Sequence, residues 1–394
     1  MFEREFSASC SEHKIRQAIS SLSFKPSVKY TNSSKCVATC TLEDAGGSAV
    51  AEGAGKGQHC QVGALAESIE HYALEHGSSR GLVTRPINEI RHQGFTRIDG
   101  ILANLPDSER TIECVELKDL RNGRSAIVPA VLQLPGKHLM EKNSVQTETA
   151  FLSRYSTNSG IAFGCSENEA ILHGLNEVLE RHMLSKILMS LCAQHDSIQL
   201  RSVSAAALSE VFPNSSTFIS LATNMKILMT ETIHGVYFAM AIPKRPDGRY
   251  LLCPVGSGCS LDPKVAIERA ATELHQTMTL YDQQEKATDL SALALANYSP
   301  ALRPLINLEV LRNTELFCRR LDPPRRLSVD EQIEFIVEKL AMTGSRAFKR
   351  TLLSVENGCT VTQVYVPGLE RFNLVRAGIP VVPQHLLHAN ACNS

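Results

Sequence analysis

An excess of charge of one sign is the first thing this sequence lacks. Lysine and arginine together number 40 against 41 aspartates and glutamates, for a formal net charge of −1. No global field would hold a polyanion or an anionic membrane, so no nucleic-acid or membrane partner is expected and any nucleotide must be gripped locally. Also missing is an apolar run approaching the roughly 18 residues that a membrane helix needs. The opening Met1-Phe2-Glu3-Arg4-Glu5-Phe6 lacks the charged-then-apolar layout of a signal peptide. A soluble, cytoplasmic protein is expected. There is no G-x4-G-K-[ST] phosphate loop. Tryptophan is absent altogether.

What is present is globular in composition. Hydrophobic residues make up 43% and charged residues 21% of 394, which excludes disorder, collagen-like repeats and coiled coil as the main architecture. That length holds two or three domains' worth of core at about 150 residues each. The 12 cysteines show no close-set framework, which fits reduced, mostly buried thiols better than disulfides. Cys36 with Cys40 and Cys253 with Cys259 have no second pair and no nearby histidines, so no structural zinc is expected.

One supersecondary pattern recurs three times: strand, turn, strand, Gly-rich loop, helix. In the first unit, Val37 to Leu42 and Ala49 to Ala51 flank Gly46-Gly47, and Gly53-Ala-Gly55-Lys56-Gly57 leads into a helix from about Gln61 to His76. In the second, Thr111 to Leu117 and Ile127 to Leu134 flank Arg121-Asn122-Gly123. Asn158-Ser159-Gly160-Ile-Ala-Phe-Gly164 then precedes a helix from about Asn168 to Leu191. The third has Val236 to Ile242, a Pro246-Asp247-Gly248 turn, Arg249 to Cys253, and Gly256-Ser-Gly258 before a helix from about Pro263 to Met278. Gln283 to Pro304 reads as irregular. Ser328-Val-Asp-Glu331 is a capping box opening a helix to about Met342, followed by strands near Phe348 to Ser354 and Thr360 to Val366. The pattern predicts an α/β (α+β) fold, a single compact body of repeated hairpin, Gly-loop and helix units.

On the second helix, at 100° per residue, Leu172, Leu175, Val178, Leu179 and Met183 share the core face. Glu169, His173, Asn176, Glu177 and Glu180 share the opposite arc, with Arg181 at its margin. A solvated face explains any one such helix. Here, however, three carboxylates crowd one stripe with no lysine on it to relieve their repulsion, and a divalent cation would. The first helix repeats the device with Glu67, Glu70 and His71 opposite Leu65, Ile69 and Tyr72; the third sets Arg269, Thr272, Glu273 and Gln276 opposite Ile267, Ala270, Ala271 and Leu274. Hard oxygen ligands suit Mg2+ bridged to phosphate, arginine suits phosphate, and glycine loops at helix starts let backbone N–H groups approach anions. Together these residues point to nucleotide and Mg2+.

These motifs resemble the YcaO superfamily. The resemblance rests on Glu167-Asn-Glu169-Ala-Ile-Leu-His-Gly-Leu-Asn-Glu177-Val-Leu-Glu180-Arg181, on Gly55-Lys56-Gly57 with Ala66-Glu67-Ser-Ile-Glu70-His71-Tyr72, on Leu261 to Gln276, and on Val366-Pro367-Gly368-Leu369-Glu370, in order from about Val37 to Pro383. It implies a short N-terminal extension over 1–35, a catalytic domain over 36–383 and a tail over 384–394. It implies ATP- and Mg2+-dependent phosphorylation of a peptide backbone amide oxygen in ribosomal-peptide modification, first of all cyclodehydration to azolines, with thioamide or amidine formation as alternatives. A non-catalytic nucleotide-binding scaffold is the reading from another class. By the resemblance, Glu67, Glu70, Glu177 and Glu180 are Mg2+ ligands. Lys56, Ser159, Glu169, Arg181, Arg269, Glu273 and Gln276 complete the ATP site, and Glu177, Glu180, Arg181 and Arg269 carry catalysis. Departures are His71 where the family has arginine, His182 where aspartate often follows Glu-Arg, and Pro380-Val-Val-Pro383 in place of a terminal Pro-x-Pro-x-Pro. The implied partners are a precursor peptide, a separate peptide-recognition protein of E1-like or TfuA-like type, and a second copy in a homodimer.

Overall fold

A computed structural model describes residues 3–31, 35–77, 81–135, 147–213, 216–318 and 320–393. Met1, Phe2 and Ser394, which belong to the expected extension and tail, lie outside them. Helix α1 (Ala8–Ser21) starts at Ser7, whose hydroxyl accepts the Cys10 amide, and buries Ile15, Ala18 and Ile19. Strands β1 (Lys25–Tyr30), β2 (Val37–Glu43) and β3 (Ala49–Lys56) then lead to helix α2 (Cys60–His76). Next come β4 (Leu82–Pro86), β5 (Thr111–Asp119), β6 (Ser125–Pro129) and β7 (Ile161–Gly164). Helix α3 (Glu167–Leu191) follows, its amide at Glu169 capped by the Ser166 hydroxyl at 3.2 Å. Strands β8 (Arg201–Val203), β9 (Met225–Glu231), β10 (Tyr237–Pro243) and β11 (Gly256–Ser260) precede helix α4 (Pro263–Leu280), which Asp262 caps and Pro263 opens. Helix α5 (Gln283–Tyr298), strand β12 (Phe317–Cys318), helix α6 (Val329–Met342), strands β13 (Phe348–Ser354) and β14 (Thr360–Tyr365) and helix α7 (Gln384–Asn393) complete the order.

Among the described residues three sheets form, ordered β1-β2-β3, then β4-β5-β13-β14-β7 with β6 paired to β5, then β11-β10-β9-β8-β12. Helix α3 is the hub. Its Leu172, Leu175 and Leu179 pack with Val236, Ile336, Leu340 and Val364, while its Met183, Leu184, Ile187 and Leu188 enter the largest core with Phe238, Phe348 and Tyr365. One helix thus ties the second and third sheets together, and the expected single α+β body is what forms. Most of the described cysteines are buried free thiols.

The capping box at Ser328 and Glu331 forms, as do the hairpins at Gly46-Gly47 and Asn122-Gly123 and the three expected helices. Much of each Gly-rich segment departs from expectation in being strand, although Asn158-Ser159-Gly160 precedes β7 as a turn. Gly53 to Lys56 belongs to β3, Ile161 to Gly164 to β7 and Gly256 to Gly258 to β11. Each lies directly under its own helix. A Cβ on Gly55 would stand 1.7 Å from the Cys60 carbonyl oxygen, on Gly164 2.4 Å from the Ala170 nitrogen, and on Gly256 2.2 Å from the Ala270 carbonyl oxygen. Only glycine lets backbone meet backbone so closely. The pairing differs too. Arg249 to Cys253 forms no strand, and β10 pairs with β11 instead. In the second unit the neighbour of β7 is β14, nearly two hundred residues later, and not the β5–β6 hairpin. Gln283 to Pro304, expected to be irregular, is mostly α5: Asp282 caps its first amides, and its Ala/Leu-rich sequence has high helix propensity without a sharp apolar stripe.

Candidate active site

Helices α2, α3 and α4 bring their polar stripes to one place. Glu70 of α2 reaches across to β7, where its Oε1 accepts the Phe163 amide at 2.7 Å. Glu67 accepts the Ala54 amide at 2.8 Å. On α3, Glu177 accepts the Gly160 amide at 3.2 Å and stands 3.6 Å from the Arg181 guanidinium. Glu180, buried, accepts the Ser257 hydroxyl of β11 at 2.7 Å. From α4, Glu273 pairs with Lys56 of β3 at 2.7 Å, and Arg269 donates to the Cys259 carbonyl at 2.9 Å.

The electrostatics follow from that crowding. Burial pushes Glu70 up to about 8, with repulsion from Glu67 and Glu177 adding to it. Burial and then Glu273 raise Glu180 to about 7. Glu177 is raised as well, chiefly by burial, with Arg181 pulling the other way. Burial works against the Arg181 charge, yet Glu177, Glu180 and Glu273 hold its pKa above the ordinary value. His173, on the same stripe, is driven well below its usual range by burial and then by Arg269, Arg4 and Lys56. Carboxylates from all three helices therefore feel one another through a poorly hydrated space.

Among the described residues, no three Asp, Glu, His or Cys side chains form a ready-made metal cage. Mg2+ does not ask for one, because it keeps water and substrate phosphate oxygens and takes only one or two protein carboxylates. Two observations fit a metal nucleotide here. The gathered carboxylates disfavour their own ionisation. On the same stripe the buried atoms His173 Nδ1, Asn176 Oδ1 and Arg181 Nε have no hydrogen-bond partner among the described residues, and orphaned buried polar atoms are costly unless a ligand or water completes them.

The remaining expected positions divide. Glu169 is 1% exposed and accepts the Cys165 amide at 3.1 Å and the Glu5 amide at 2.6 Å. Ser159, next to Gly160, hydrogen-bonds Thr157 at 2.9 Å. Gln276 sits three residues beyond Glu273 on α4. His71 turns to the Glu52 carbonyl at 2.5 Å. His182 lies on the far side of α3, where its Nδ1 accepts the Glu370 amide at 3.0 Å. Sequence reasoning missed Ser257 and Ser260 on β11 and, above all, Glu3 and Arg4. Glu3 accepts from Arg269 Nη2 at 2.5 Å, the Ser260 hydroxyl at 2.5 Å and Asn176 Nδ2 at 3.2 Å. No periodicity marks a short N-terminal segment, so nothing in the sequence announced it.

Comparison with known proteins bears on the family and the fold. The family model described as YcaO cyclodehydratase, ATP- and Mg2+-binding, matches residues 53–370. A heterocyclase in complex with substrate and cofactor superposes with a TM-score of 0.63 at 18% identity, covering 94% of this chain and 54% of that one; this chain spans about half its length. The YcaO protein of Methanopyrus kandleri, bound with AMPPCP and Mg2+, superposes with a TM-score of 0.59 at 18% identity over 96% of each chain. An uncharacterized protein of Methanothermobacter thermautotrophicus is 25% identical over 353 residues, 85% of each chain.

Proposed function

The chain belongs to the YcaO family, and from that premise we propose that it uses ATP and Mg2+ to phosphorylate the oxygen of a peptide backbone amide, most simply on the way to an azoline. The observation that carries this reading is the convergence of Glu70, Glu177, Glu180, Arg181, Glu273 and Lys56 from three packed units, with unpartnered buried atoms on the same face.

Mg2+, when bound, would neutralise phosphate oxygens and lower the charge of the transferring phosphoryl group. Glu67, Glu70, Glu177 and Glu180 would be the carboxylates that hold it. Lys56, Arg269 and Gln276 would orient the nucleotide, with Ser159, Glu169 and Glu273 around it, and Arg181 would stabilise charge that develops in the transition state. The γ-phosphoryl group moves from ATP to the amide oxygen, releasing ADP. A Cys, Ser or Thr side chain adds to the activated carbon and loses its proton. Phosphate then departs with the former amide oxygen as the amide nitrogen gives up its hydrogen, so the peptide loses one water. Thioamide or amidine formation shares every step to the activated amide and differs in the nucleophile. It is the second reading, favoured because Pro380-Val-Val-Pro383 runs on into α7. A separate peptide-presenting partner belongs to the proposal, supported by the heterocyclase, almost half of whose chain lies outside the shared body; a homodimer belongs to it as well.

The test is ADP release by the purified chain with candidate precursor peptide and partner, followed by mass spectrometry of the peptide. Peptide-stimulated release with loss of about 18 Da marks an azoline or a macrocyclic amidine, and gain of about 16 Da marks exchange of oxygen for sulfur. If peptide never stimulates ATP cleavage, the chain is a nucleotide-binding scaffold instead.

A further inference from the structure

The residues before α1 are held by side chains from three walls of the candidate site. The Glu3 side chain is 7% exposed, and both its oxygens are engaged: Oε2 by Arg269, Oε1 by Ser260 and Asn176. These three donors come from α4, β11 and α3, so one carboxylate gathers the walls of the site. Arg269 has its other terminal nitrogen on the Cys259 carbonyl. Its charge-assisted bond to a carboxylate is the one Glu3 takes. The next two residues hold Glu169: the Glu5 amide donates to it at 2.6 Å, and the Arg4 guanidinium stands 3.7 Å away. Beyond Phe6 the chain enters α1, which is anchored by Ile15, Ala18 and Ile19, so residues 3–6 form a short strap attached to a fixed helix.

A carboxylate and a phosphate oxygen compete for the same guanidinium face, and two anions held close together on it repel each other. Resting on the nucleotide reading given above, we propose that Glu3 is a removable internal anion: the strap Glu3-Arg4-Glu5 closes the phosphate end of the site, and Mg-ATP binding expels it. Departure of Glu3 releases Arg269, Ser260 and Asn176 together, and with them goes the Glu5 grip on Glu169. Nucleotide binding and strap docking thereby oppose each other, so whatever holds the strap down lowers ATP affinity, and ATP loosens the strap to the same degree.

The experiment is calorimetric titration of the full chain and of Glu3→Ala and Glu3→Gln with Mg-ATP, combined with hydrogen exchange at the Glu5 amide. Both variants are expected to bind Mg-ATP more tightly than the parent, by roughly five- to a hundredfold, the usual span of a coupling free energy. Glu3→Gln should fall between the other two because it keeps hydrogen bonds and loses the charge. In the parent chain, saturating Mg-ATP should accelerate exchange at the Glu5 amide. Equal or weaker binding by both variants, or a Glu5 amide that stays protected when nucleotide is bound, overturns the strap and leaves the nucleotide reading standing. No binding by any of the three chains overturns the nucleotide reading, and the strap with it.

Discussion

Glu180 offers the most direct residue-scale test, because its carboxylate is buried yet needs only one neutral donor, the Ser257 hydroxyl. Glu180→Gln keeps shape and hydrogen bond while removing the charge. Calorimetry should show Mg-ATP affinity falling at least about tenfold, as expected when one carboxylate leaves a hard-cation site, and urea unfolding should be unchanged or shifted slightly to higher stability. A second residue speaks to pH. His234 is 4% exposed, and burial followed by the Lys186 charge depresses it from 6.5 to about 4. Its folded pKa lies below the unfolded value, so the stability it contributes is fully present above pH 6.5 and is lost as pH falls toward 4. The loss is on the order of 3 kcal/mol by pH 4, each pKa unit being worth about 1.4 kcal/mol. Denaturant curves of His234→Gln between pH 7 and 4 should fall less steeply than those of the parent. At this scale the helical wheel found the carboxylates, because a stripe of like charge on an amphipathic helix is visible without a structure. Glu3 was invisible, since its role depends on where an aperiodic segment comes to rest.

At the scale of elements, the first two hairpins and the helix starts were legible because turn glycines and caps are local chemistry, whereas the Pro246-Asp247-Gly248 turn joins no second strand. The glycine strands were not, because glycine is a poor strand former and only a helix lying across it explains its presence. Gly55→Ala tests that explanation. Overpacking usually costs about 1–3 kcal/mol, but here the new methyl group would fall 1.7 Å from a carbonyl oxygen of α2. Chemical denaturation should show a loss at the top of that range or beyond, and Mg-ATP affinity should fall with it because α2 carries Glu67 and Glu70. Helix α5 went unread for the opposite reason: its alanines and leucines spread around the helix and leave only Ala292 and Ala296 buried.

For the whole molecule, the near-zero net charge concealed a strong local imbalance, with raised carboxylates gathered where three units meet. Closing that gathering with a metal nucleotide stabilises the native state alone. Saturation at a hundred times the dissociation constant is worth about 2.7 kcal/mol. Thermal scans should show the midpoint rising with ATP and Mg2+ together and rising less with either one, since phosphate without the cation adds negative charge beside Glu177 and Glu180. The three recurring helices do sit on one body. The closure of the second unit by β14 has no counterpart in the sequence pattern, since pairing between strands so far apart in the chain leaves no local mark.

The glycine strands also determine how errors travel through this molecule. In an ordinary core a misplaced methyl group is absorbed by the side chains around it, and the disturbance fades over a few ångströms. Here each of α2, α3 and α4 rests on bare backbone, and nothing between helix and strand can yield. A displacement beneath any of them therefore reaches the carboxylates that the same helices carry, and an error of about 1 Å in a site can reduce catalysis a hundredfold. The three glycine contacts are the reference surfaces from which the site is machined, and the outer face of the protein is free to drift so long as they hold.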